Sequence, residues 1–170
     1  MRLHHTMIES PVGPLLVGVT DAGLAWLGFH RGKFPAGRFS EAEWVPSEAK
    51  LKPWTRELKE YFSGKRREFD LPIDLHGTEF QVRCWRELLK IPYGETITYA
   101  ELSNRVGCVS GFRAVGAANG ANPVAIVVPC HRVVASDLTL GGYGGGLPSK
   151  ELLLKLEGAW PLKHVTASMF

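Results

Sequence analysis

The sequence predicts two domains: an α/β unit over residues 1–76, then a mainly α unit over residues 77–170 that carries a helix-turn-helix. Three observations predict this. Apolar runs alternate with turn residues through residues 1–30. An amphipathic helical pattern occupies residues 47–64. From Thr78 the texture changes to short helices opened by capping residues. A length of 170 residues accommodates one large domain or two small ones. With 45% hydrophobic and 22% charged residues, the chain can bury a real core.

Residues 1–30 read as a strand meander, in which PLLVGVT and LAWLGF flank the turn signal DAG. RGKFPAGRFSEAEWVP, residues 31–46, reads as a loop. In SEAKLKPWTRELKEYFSG, Leu51, Trp54, Leu58, Tyr61 and Phe62 fall on one helical face, with Ser47 to cap the start and Gly64 to end it. EFDLPIDL alternates, so Phe69, Leu71, Ile73 and Leu75 are expected to point one way from a strand. TEFQ is a capping box, Thr78 with Gln81, opening a helix with Phe80, Cys84, Trp85, Leu88 and Leu89 on its apolar face. IPYGE breaks that helix. TYAE is a second capping box, Thr98 with Glu101, and the helix it opens stops at Gly107. Ser110 is placed to cap a third helix, GFRAVGAANGA. Two short helices joined by about four residues that include a glycine resemble a helix-turn-helix. The tail AWPLKHVTASMF reads as peripheral.

The third helix is unusual. Gly111, Ala114, Gly116, Ala117, Ala118 and Gly120 leave it almost without side chains, and Arg113 is its one long charged residue. Glycine costs about 1 kcal/mol relative to alanine inside a helix. A surface of small residues admits another backbone closely, either a neighbouring helix or the sugar-phosphate wall of a nucleic acid.

Bulk properties exclude several classes. Cys84, Cys108 and Cys130 are an odd number with no CxxC pair, which excludes a disulfide framework and a cysteine-rich zinc site. Free thiols fit a reducing compartment. MRLHHTMIESPVG has no apolar h-region, and no run approaches the roughly 20 apolar residues of a membrane span. A cytoplasmic monomer with no membrane partner is expected. No cysteine precedes Cys84, so a cysteine-bearing zinc site in the first domain is excluded, and His4 and His5 read as structural. The net charge of +3 permits nucleic-acid binding without requiring it.

Chemistry concentrates in IVVPCHRVV, residues 126–134. Cys130, His131 and Arg132 interrupt the most apolar region of the chain. Burying a thiol, an imidazole and a guanidinium together is costly unless each is paired. A histidine beside a cysteine, or a water it holds, can take the thiol proton and raise the thiolate fraction. A carboxylate should then orient the imidazole, and Asp137, Glu151 and Glu157 are the candidates further on. Pro129 suits a strand end. ANPV, residues 121–124, adds an Asn-Pro turn just upstream, and GGYGGGLP, residues 141–148, is a glycine-dense loop suited to a lid. SDLT, residues 136–139, places Leu138 where a turn favours glycine. Two classes survive on this chemistry: a cysteine hydrolase with a Cys-His pair, and a cysteine that attacks a group presented by DNA. Hydrolases usually separate base and nucleophile in sequence and need an oxyanion hole, so adjacent Cys-His behind a helix-turn-helix favours the second.

PYGETITYAEL, FRAVGAANGANPVAIVVPCHRVV and GGYGGGLPSKELLLKLEG resemble the O6-alkylguanine-DNA alkyltransferase family, the methylated-DNA–protein-cysteine S-methyltransferases, from about Thr78 to Gly158. The resemblance implies a ribonuclease-H-like first domain and a winged-helix-like second. It implies single-turnover transfer of the alkyl group of O6-alkylguanine from double-stranded DNA to Cys130 after nucleotide flipping, and leaves open whether O4-alkylthymine is also accepted. No cofactor and no metal are implied. His131 resembles the base acting through a bound water, Glu157 the carboxylate that holds it, and Asn122 the asparagine that braces the site. Arg113 resembles the arginine that fills the gap left by the flipped nucleotide, with Ala114 and Gly116 on the same DNA-facing helix. Tyr99 resembles the tyrosine that crowds the neighbouring phosphate and contacts the extruded base. Tyr143, Val133 and Lys150 are implied at the substrate pocket. The related alkyltransferase-like proteins bind damage without the reactive cysteine. They and a Cys-His hydrolase are the alternatives.

Overall fold

Arg2–Ile8 (β1), Leu15–Thr20 (β2) and Gly23–Phe29 (β3) pair antiparallel in register Ile8 with Leu15 and Leu15 with Phe29. These come from a computed structural model that describes residues 1–162; the last eight residues of the tail lie outside the described residues. Backbone contacts divide the chain into two units, Met1–Gly77 and one that begins at Thr78.

In the first unit, β2 is buried almost throughout, with Leu15, Leu16, Val17 and Val19 in the core. Glu48–Phe62 (α1) lies against β1 and β2 and buries Leu51, Leu58 and Tyr61. Ser47 Oγ accepts from Lys50 N at 3.3 Å, as its capping position requires.

Two expectations are corrected here. The stretch 31–46 is not all loop: Glu43–Pro46 (β4) pairs parallel with β1, giving the order β3-β2-β1-β4. Four residues are too few to show a period. Trp44 holds β4 in place by stacking on Phe34 at 5.1 Å and lying 2.8 Å from where a Cβ of Gly18 would stand. Conversely, 68–75 forms no strand, only an isolated bridge of Ile73 to Leu24. Pro72 lacks an N–H, so the segment can exchange only Leu24 N to Pro72 O at 2.9 Å and Asp74 N to Leu24 O at 2.8 Å. Phe69, Leu71, Ile73 and Leu75 are all half-buried.

That bridge explains Gly23. Its φ is +146° and a Cβ there would stand 2.5 Å from Pro72 O. Gly23→Ala should therefore lower the stability of the first unit by about 1–3 kcal/mol, read as an earlier denaturant midpoint.

The second unit opens with Glu79–Leu88 (α2), whose capping box is complete: Gln81 N donates to Thr78 Oγ1 at 3.1 Å and Thr78 N to Gln81 Oε1 at 2.9 Å. Cys84, Trp85 and Leu88 are buried, whereas Leu89 lies past the helix end and is exposed. Ile97–Thr98 (β5) pairs parallel with Val133–Val134 (β6). Tyr99–Arg105 (α3) is capped by Thr98, but the Glu101 side chain faces Arg105 at 3.1 Å instead of completing a box. Residues 106–111 lead to Phe112–Gly120 (α4), and Leu147–Leu156 (α5) follows the glycine loop. Ser110 does not cap α4. It takes a left-handed φ of 65°, and Gly111 stands at the N-cap without a side-chain bond. A Cβ on Gly111 would overlap Cys108 Sγ, so that cysteine packs into the turn. Val115, Ala118 and Asn119 form the buried side of α4, and Trp85 Nε1 donates to Ala118 O at 2.7 Å. A neighbouring helix thus covers one side of α4. Arg113 and Ala114 lie on the exposed side and Gly116 is half-buried.

Candidate active site

Residues 124–129 form a buried, turn-rich segment, not a strand. Asn122 organises it: Oδ1 accepts from Val124 N at 2.9 Å and Nδ2 donates to Val128 O at 2.8 Å. Pro123 between them cannot donate, so the side chain supplies the turn's hydrogen bonds. Ile126 is buried with φ 74°, a strained conformation for a β-branched residue. Pro129 ends no strand. It precedes the 3-10 turn Cys130–Arg132. That turn drives three successive side chains inward, leaving Cys130 6%, His131 0% and Arg132 7% exposed.

The pairing that their burial demands is present. Arg132 grips the Glu157 carboxylate with both prongs, Nε to Oε1 at 2.8 Å and Nη2 to Oε2 at 2.9 Å. Its remaining arm, Nη1, donates to Ile91 O at 2.7 Å. His131 Nε2 stands 2.9 Å from Glu157 Oε2. Glu157 caps the C-terminus of α5. Burial would raise its pKa, but the hydrogen bonds and charges of His131 and Arg132 outweigh that and bring it to about 2. Of the three candidate carboxylates, only Glu157 meets the imidazole. Asp137 is exposed and bonded to Thr139, and Glu151 pairs with Lys155 at 3.2 Å.

Burial pushes the Cys130 thiol above its ordinary pKa. The Asn122 side chain, the Lys150 charge and the Cys130 and His131 amides oppose that and lose. At neutral pH the resting group is therefore a thiol, not the thiolate that its neighbour suggested. Burial likewise lowers the His131 pKa, against the pull of Glu157 and with help from Arg132 and Lys150. The two neighbours are an uncharged acid and an uncharged base.

Lys150 is fully buried. Its ammonium donates to Val133 O at 2.7 Å, to Gly142 O at 3.1 Å and to Leu140 O, matching three protons with three carbonyls. Burial brings its pKa down to about 8, with the Cys130 charge pulling the other way. Val133 is itself fully buried and reaches the cluster through that carbonyl. Tyr99, at the start of α3, places its hydroxyl near the Gly142 amide and the Asn119 side chain, and Lys150 Nζ lies 5.9 Å from its ring centre. A Cβ on Gly141 would stand 2.9 Å from the Tyr99 ring, so the glycine loop can lie against it. Burial, then the Cys130 and Glu157 charges, push the Tyr143 hydroxyl well above its ordinary pKa.

Arg113 and Ala114 lie outside this cluster, on the exposed side of α4, and Gly116 is half-buried, three residues before Asn119. Asn119 Nδ2 donates to Cys130 O at 3.3 Å, so one helix connects both regions. Phe112, next to Arg113 in sequence, and Val109, four residues before it, are 51% and 77% exposed. Sequence reasoning missed Asn119, whose signal was a polar residue among alanines and glycines. It also left Arg132 without a partner or role. Among the described residues no group of three or more His, Cys, Asp or Glu side chains is placed to hold a metal ion, and no helix is long and apolar enough to cross a membrane.

Residues 79–159 match the family model described as 6-O-methylguanine DNA methyltransferase, DNA binding domain, and residues 3–75 match that of its ribonuclease-like domain. The chain is 46% identical to the methylated-DNA–protein-cysteine methyltransferase of Methanosarcina barkeri, over 91% of this chain and 97% of that protein. It is 43% identical to the protein of the same name from Mycobacterium tuberculosis, over 91% and 92%. A crystal structure of Mycobacterium tuberculosis OGT in complex with DNA superposes with a TM-score of 0.82 at 43% identity, covering 92% of this chain and 93% of that one.

Proposed function

The chain belongs to the 6-O-methylguanine DNA methyltransferase family, and from that membership we propose that it repairs DNA by moving the alkyl group of O6-alkylguanine onto Cys130, once per molecule. The observation that carries this reading is the buried series Cys130, His131, Glu157, in which the imidazole is held by its Nε2 side at 2.9 Å. His131 Nδ1 is buried and has no hydrogen-bond partner within the described residues, so it is the nitrogen left to take the thiol proton through a water. The sulfur then attacks the alkyl carbon, the carbon–oxygen bond breaks, and guanine departs with the electron pair. The Tyr99 hydroxyl is the donor assigned to the leaving base. Water does not hydrolyse the resulting thioether, so the protein is consumed.

The alkylated oxygen lies within the base stack, and turning the nucleotide out costs a few kcal/mol. In this reading α3 and α4 form a helix-turn-helix that presents Arg113, Ala114 and Gly116 to the duplex. Arg113 occupies the vacated position as a planar cation. Exposed Val109 and Phe112, close before it in sequence, suit an apolar wedge of the kind that opens base steps from the minor groove. Tyr143, Val133 and Lys150 shape the pocket for the extruded base.

Intact-protein mass spectrometry after incubation with duplex DNA carrying O6-methylguanine tests the function. The native chain should gain one methyl on Cys130 and Cys130→Ser none, with DNA binding retained. No gain would reject transfer in favour of a damage binder, and a methyl on Cys84 or Cys108 would move the acceptor elsewhere. Arg113→Ala should slow repair of duplex DNA far more than reaction with free O6-benzylguanine, since only the duplex requires flipping. Equal slowing of both would remove Arg113 from that role.

A further inference from the structure

A carboxylate buried against an imidazole normally draws a proton onto the ring, because the charged pair is better than an isolated buried anion. An imidazolium has no lone pair for a thiol proton. In this site the carboxylate has a second cation. Arg132 engages both oxygens of Glu157, and a guanidinium stays charged throughout the working pH range. Oε2 is shared between Arg132 Nη2 and His131 Nε2, each at 2.9 Å. A proton added to His131 would therefore meet first the cost of full burial, then an anion that already pairs with Arg132, and the charges of Arg132 and Lys150. We propose that Arg132 is a positioning residue for alkyl transfer: it supplies the counter-charge for Glu157 and fixes its orientation, so that His131 stays uncharged with its proton on Nε2 and its lone pair on Nδ1.

Arg132 is itself held from two sides. Nη1 donates to Ile91 O, and the guanidinium lies 5.8 Å from the centre of the Tyr93 ring. The Tyr93 hydroxyl donates to Leu156 O at 3.1 Å, the carbonyl just before Glu157. Tyr93 thus ties the arginine and the carboxylate to one anchor. The groups that face His131 are Glu157 and Lys150 from α5 and Arg132 from its own turn, with Cys130 next to it. Tyr143 faces Cys130 and Glu157 from the glycine loop. Arg132 touches the carboxylate oxygen that His131 shares.

The inference rests on the proposed function, and its test separates the two. Single-turnover transfer from free O6-benzylguanine, which needs no DNA, is followed against pH for the native chain, Arg132→Lys and Arg132→Gln. The His131 ring nitrogens are followed by NMR in the same samples. The native ring should be neutral, with hydrogen on Nε2, at pH 7. Arg132→Gln should carry an imidazolium at pH 7 and transfer about tenfold or more slowly than native at pH 6, recovering as pH rises. Arg132→Lys should keep the native pH profile at a lower plateau. An unchanged profile in Arg132→Gln would reduce Arg132 to a structural ion pair and overturn the inference. Should that variant not fold, an imidazolium at pH 7 in the native chain overturns it equally. Absence of benzyl on native Cys130 would instead overturn the function and leave the imidazole measurement standing.

Discussion

Glu157→Gln should lower stability at pH 7 by about 3–5 kcal/mol and slow alkyl transfer by about a hundredfold. The stability loss follows from burial: the substitution leaves Arg132, 7% exposed, facing an amide that cannot neutralise it. The rate loss follows because glutamine keeps one acceptor oxygen where Arg132 and His131 use two, and an amide NH2 turned towards His131 Nε2 would favour the wrong tautomer. Native Glu157 has a folded pKa of about 2 against an ordinary 4.5. The unfolded chain therefore binds this proton first as pH falls. The stabilisation, of order a few kcal/mol, is complete above pH 4.5 and is lost progressively towards pH 2. Glutamine has no such proton. The gap between native and variant denaturant midpoints should thus be wide at pH 7 and narrow between pH 4.5 and 2. A gap that stays constant with pH would show that the carboxylate charge contributes nothing.

Alkylation should destabilise the spent protein by about 1–3 kcal/mol, an unfolding midpoint lower by several degrees for a chain of this size. Cys130 sits among Val128, Val133 and Val134, all fully buried, so an added methyl must displace packed atoms. Because burial keeps the resting sulfur protonated, no anionic contacts are forfeited, and packing strain carries the effect. A benzyl group should cost more than a methyl. Thermal unfolding before and after complete methylation, and after benzylation, measures both. An unchanged or raised midpoint for both adducts would sink the idea.

Much of this site was legible because its chemistry is contiguous. Cys130, His131 and Arg132 are neighbours in an apolar run, and burying them required a carboxylate that the sequence narrowed to three. Choosing Glu157 over Asp137 and Glu151 took the resemblance, since only the fold brings the end of α5 to the 3-10 turn. The caps at Ser47, Thr78 and Thr98 were readable because N-capping is local. The failures are non-local. β4 exists because β1 offers a parallel partner and Gly18 makes room for Trp44. The alternation in 68–75 was overridden by a single missing donor at Pro72. Leu138 stands in a turn position that favours glycine and adopts a left-handed φ of 66°. Asn119 and the inward turn of Arg132 depend on backbone carbonyls that no residue pattern announces.

Lys150 grips Val133 at one end of the segment and Leu140 and Gly142 at the other. One side chain thereby staples the two ends of that segment together. Residues between them, with Ser136, Asp137 and Thr139 exposed, form a bight whose closure is already secured at its base. Lengthening such a bight adds little closure entropy, about 0.6 kcal/mol per doubling. Its tip is thus free to vary in length and composition while the carbonyl that anchors β6, three residues beyond the reactive sulfur, stays in place. The buried lysine insulates the acceptor from change at the surface.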